Sequence, residues 1–76
     1  MIVVHKIHNH YVAINLDNVI EVECEKYQGA NYGIYFNFVD GQGVCLASYP
    51  KQTAIDLYND LIQKWANGGC NYYELP

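Results

Sequence analysis

The segment from Ser48 to Gly69, SYPKQTAIDLYNDLIQKWANGG, constrains this chain more than any other. Ala54, Ile55, Tyr58, Leu61, Ile62 and Trp65 recur at spacings of three and four, which puts them on one face of a helix. Ser48 stands where an N-cap would, and Pro50 fits a first turn. Lys64 in the last turn suits the helix dipole, and Asn67-Gly68-Gly69 is a stop signal. The spacing predicts a helix over residues 50–66, roughly 25 Å long. Its apolar stripe needs a cover, and the preceding residues must supply it. Trp65 is in phase with Tyr58, Leu61 and Ile62, so its expected place is the core.

Those preceding residues read as strands. Met1 to Ile7 is rich in β-branched side chains, and His8-Asn9-His10 suits a turn. Tyr11 to Leu16 alternates, with Val12, Ile14 and Leu16 on one face. In Val19 to Tyr27, a period of two sets Ile20, Val22 and Cys24 against Glu21, Glu23 and Glu25. Tyr32 to Val39 places Ile34, Phe36 and Phe38 together. Asp40-Gly41-Gln42-Gly43 is a hairpin turn, and Val44 to Ala47 returns with Val44 and Leu46 inward. The expected fold is a single α+β domain over residues 1–76. Its strands lie within residues 1–48 as a five-stranded antiparallel meander, the helix crosses one face, and residues 70–76 form a tail.

A chain of 76 residues builds only a marginal core, and oligomerisation is a common remedy. Its 8 tyrosines cannot all be buried, which points to a contact surface. The outer sheet face should carry Tyr11, Tyr35, Asn37 and Val39, and the tail adds Tyr72 and Tyr73. These are the expected protein-interface residues. The formal net charge is −4 and all 4 basic residues are lysine, so a nucleic-acid partner is not expected. Tyr11, Tyr27, Tyr32 and Tyr35 could stack on bases, but only Lys6 and Lys26 are near in sequence, short of a cationic groove. No run is apolar and long enough for a membrane span or a signal peptide. The 3 cysteines are odd in number and form no CxxC, which favours a reducing, cytoplasmic setting.

The order of segments, MIVVHKI, YVAINLDNVIEVE, IYFNFVDGQGV and then a helix, resembles the small flagellar FlbD-type proteins. Ile14-Asn15-Leu16-Asp17-Asn18-Val19-Ile20 is the most specific part, and the likeness covers about residues 1–62. It implies a similar order of strands and helix. The tyrosine-rich loop and tail depart from that family, so neither a functional residue nor a flagellar role carries over.

Few constellations carry chemistry. His5, His8 and His10 cluster within six residues, and imidazole is a common metal ligand. His8 and His10 would share one side of a strand, and Glu21 or Glu23 could complete a metal or small-ligand site across the sheet. A polar turn accounts for the same residues. Glu21, Glu23 and Glu25 lack the contrasting environments that an acid/base pair needs. Cys24 alternates with the core set, while Cys45 and Cys70 are redox or interface candidates. One serine and one threonine leave little room for a hydroxyl-nucleophile hydrolase. The expectation is a non-catalytic, self-associating interaction module without a cofactor. The alternatives are a metal or small-ligand binder and a small phage- or mobile-element-encoded inhibitor of a host protein.

Overall fold

The computed structural model describes all of residues 1–76. Its elements in chain order are β1 (Ile2–Ile7), β2 (His10–Asn15), β3 (Val19–Gln28), β4 (Asn31–Phe38), β5 (Gly43–Pro50), α1 (Lys51–Asn67) and β6 (Tyr72–Leu75). They form an α+β fold, but the strands do not make one meander. There are two three-stranded sheets, ordered β2-β1-β6 and β3-β4-β5. A 3-10 turn at Leu16–Asn18 separates them. Leu16 is buried there and its N–H donates to Met1 O at 3.0 Å, so the chain leaves β2 heading into the core. β3 consequently starts a new sheet instead of pairing with β2.

The expected tail is a strand. Tyr73 and Leu75 alternate with exposed residues and are buried. β6 pairs in parallel with β1, setting Tyr73 beside Val3 and Leu75 beside His5. The helix also starts later than expected. β5 runs through Pro50, where Ser48 pairs with Gly33 in the ladder and so is not available as an N-cap. Pro50 is extended (φ −52°, ψ 148°) and α1 begins at Lys51 with no side-chain cap. The C-terminus follows the sequence expectation, with Gly68 left-handed at φ +68°.

Both sheets and the helix share one core. Val3, Ile14, Tyr73 and Leu75 come from the first sheet, and Val22, Ile34, Phe36 and Leu46 from the second. Leu61 enters from α1, with Tyr58, Ile62 and Trp65 packed around it. The Tyr58 hydroxyl donates to Val22 O at 3.1 Å, tying the helix to β3.

Two bulges revise the expected alternation. A register shift between Val19 and Glu21 turns Val19 into the core and leaves Ile20 66% exposed. Another, opposite the Ile34–Tyr35 step, buries both Leu46 and Ala47 while Val44 lies exposed. The hairpin at Asp40 forms as the Asp-Gly pair predicts, with Gly41 at φ +89° and the Gln42 N–H donating to Asp40 Oδ1.

Candidate functional site

Burying one side of each sheet leaves two outer faces, and alternation decides what each displays. On the first sheet, β1 turns Ile2, Val4 and Lys6 outward. Asn15, Ala13 and Tyr11 of β2 stand level with them. On the other side, Tyr72 is level with Ile2 and Glu74 with Val4. Tyr11 is 62% exposed and Tyr72 53%. The Lys6 ammonium lies 5.6 Å from the Tyr11 ring centroid, within cation–π range. The Tyr72 hydroxyl donates to Glu74 Oε2 at 3.5 Å. Desolvation and the Glu74 charge both push the Tyr72 hydroxyl above the ordinary tyrosine value.

The second sheet shows a different surface. Glu21 is opposite Asn37, Glu23 opposite Tyr35, and Tyr35 opposite Cys45. The Asn37 amide donates to Glu21 Oε1 at 2.9 Å and to Glu23 Oε1 at 2.6 Å, holding the two carboxylates over one side chain. The Tyr27 and Tyr35 rings sit 6.4 Å apart at a 53° tilt. The Cys45 thiol donates to Ala47 O at 3.6 Å, and burial pushes its pKa up. A thiol held protonated is a poor nucleophile. This face is acidic, aromatic and polar.

The expected interface residues therefore do not form one surface. Tyr11 and Tyr72 share the first sheet's outer face, and Tyr35 and Asn37 share the second's. Val39 lies just past β4, 67% exposed, its N–H donating to Asn18 O. Tyr73 points the other way, into the core. The histidines also separate. His5 faces inward, with its Nδ1–H donating to Leu75 O at 3.2 Å. His8 sits in the turn at φ +56°, and His10 opens β2 in the open. Glu21 and Glu23 belong to the other sheet, and no set of three His, Cys, Asp or Glu side chains converges in a metal-holding arrangement.

Sequence reasoning missed Val4 as a surface residue. Its signal was the unbroken apolar run Ile2-Val3-Val4, which marks a strand with apolar side chains on both faces. Glu74 was missed because its place beside Val4 depends on the pairing of β6 with β1. No helix is long and apolar enough to cross a membrane. In comparison with known proteins, no family model, curated relative or solved structure matches this chain.

Proposed function

We propose that this chain is a small, non-catalytic protein-interaction module of the cytoplasm, working without a cofactor through the outer face of its first sheet. One observation carries the proposal. Ile2 and Val4 stand on an outer face that no other element of the chain covers, flanked by the exposed rings of Tyr11 and Tyr72. Tyrosine suits such a contact, because its ring loses water while its hydroxyl keeps a polar partner. The acidic outer face of the second sheet disfavours nucleic acid, whose phosphates call for clustered cations. A module of this kind serves equally as a subunit of an assembly or as an inhibitor of another protein. The FlbD-type likeness adds an order of elements to this proposal and no role.

Photo-cross-linking residues placed at Tyr11 and at Tyr72 test it, with exposed Gln63 on the helix as control. Protein adducts in cells at the two sheet positions and not at Gln63 are the expected result. Adducts at none of the three, or equally at all three, would overturn the interaction-module assignment.

A further inference from the structure

We infer that the outer face of the β2-β1-β6 sheet packs against the same face of a second copy of this chain, an inference that rests on the interaction-module assignment above. Two independent features of the face argue for this occupant.

The first is the pattern of β1. A strand with one wet face alternates apolar and polar residues, as β3 does with Val22 inward and Glu21 and Glu23 outward. β1 does not alternate. Val3 is in the core, yet its neighbours Ile2 and Val4 on the opposite side are also aliphatic and only partly covered. β1 is also the central strand of its sheet, between β2 and β6, where apolar side chains on both faces call for cover on both. Within one chain it is covered on one.

The second is charge. The chain as a whole carries −4, so most approaches of one copy to another are repulsive. A contact between second sheets would set Glu21, Glu23 and Glu25 against their own copies. The first sheet's outer face is balanced instead, with one cation, Lys6, and one anion, Glu74, on different strands. A two-fold axis that sets Lys6 of each copy against Glu74 of the other makes that pair twice. The face is self-complementary in charge and apolar at its centre.

It is also small. Three strands about 4.8 Å apart, the central one six residues long at about 3.3 Å each, span roughly 14 by 20 Å, below a standard interface. The dimer is therefore a weak, transient one in exchange with monomer, with a Kd of about 10 µM or weaker.

Sedimentation equilibrium of the full chain under reducing conditions tests the inference. The expected result is a monomer–dimer equilibrium in that range for the wild type. Lys6→Glu alone and Glu74→Lys alone should each weaken it by about tenfold or more, because each places like charges across the axis. An equimolar mixture of the two variants should recover dimer, since in the mixed pair every charge at these two positions again faces its opposite across the axis. Both substituted positions are exposed, and recovery in the mixture shows that both variants remain folded. A wild type monomeric up to about 1 mM, a dimer indifferent to both reversals, or reversals that fail to rescue each other would overturn the inference. A monomer that still cross-links to another protein through Tyr11 and Tyr72 would overturn this occupant alone and leave the interaction module standing.

Discussion

The hydroxyl of Tyr73 donates to Asp60 Oδ2 at 2.7 Å, joining the last strand to the middle of the helix. Lys64 completes the arrangement, with its ammonium 3.0 Å from the same carboxylate oxygen and 5.2 Å from the Tyr73 ring centroid. A tyrosine from what reads as a tail is thus a core residue with its polar end anchored.

Removing that anchor should be measurable. Tyr73→Phe keeps the ring and deletes the donor, so Tm should fall by about 5 °C at neutral pH. The Tyr73 hydrogen bond first, and Lys64 second, hold the Asp60 carboxyl below its ordinary value of 3.8. A carboxyl depressed in the folded state contributes stability that is present above its unfolded pKa and lost as pH falls through the folded one. The gap in Tm between wild type and Tyr73→Phe should therefore be full at neutral pH and close below about pH 3.8. Thermal denaturation across that range checks both parts, and a pH-independent gap would show that Asp60 does not mediate the effect.

Gly33 is enclosed by the second sheet's outer face. A Cβ there would lie 2.6 Å from Cys45 Sγ, 3.1 Å from Tyr35 Cε1 and 3.3 Å from Tyr27 Cβ. Gly33→Ala should destabilise by about 1–2 kcal/mol, as the thiol is forced from its place. Cys45→Ala removes the nearest obstacle, so the double variant should lose less than the sum of the single changes. Urea denaturation of the four proteins gives the coupling, and strict additivity would place the strain elsewhere.

Gly68 and Gly69 are neighbours with different duties. A Cβ on either would meet nothing within 4 Å, but only Gly68 has a positive φ, at +68°. Gly68→Ala should cost about 1 kcal/mol through the left-handed backbone alone. Gly69→Ala should change stability by under about 0.5 kcal/mol. Equal effects in urea would contradict the helix end described above.

The bulge after Val19 makes a prediction opposite to simple alternation. Val22→Ala should cost about 2 kcal/mol, because Val22 is buried. Ile20→Ala, although the larger truncation, should fall within about 0.5 kcal/mol, because Ile20 faces water. A loss at Ile20 as large as that at Val22 would mean β3 pairs without the bulge.

Local periodicity was legible. The spacing of Ala54, Tyr58, Leu61 and Trp65 fixed a helix and its buried stripe, because a 3.6-residue repeat admits only one such face. Ile34 and Phe36 fixed the inner face of β4 in the same way, and Asp40-Gly41 fixed its turn. Of the candidate surface, Tyr11, Tyr72 and the acidic row were readable as outward residues. Their division between two sheets was not. That depended on which strand edge each segment finds, and edge pairing is decided among groups far apart in the chain. β6 lies beside β1 only in the folded state, and β3 parts from β2 at the turn where Leu16 is buried. The extra residues at Ile20 and Leu46 belong to the same class, since a bulge reflects the fit of two strands and has no period of its own. Sequence determined which side chains share a face. Only tertiary competition for backbone partners decided what each face lies against, because hydrogen-bonding edges carry no residue-specific code.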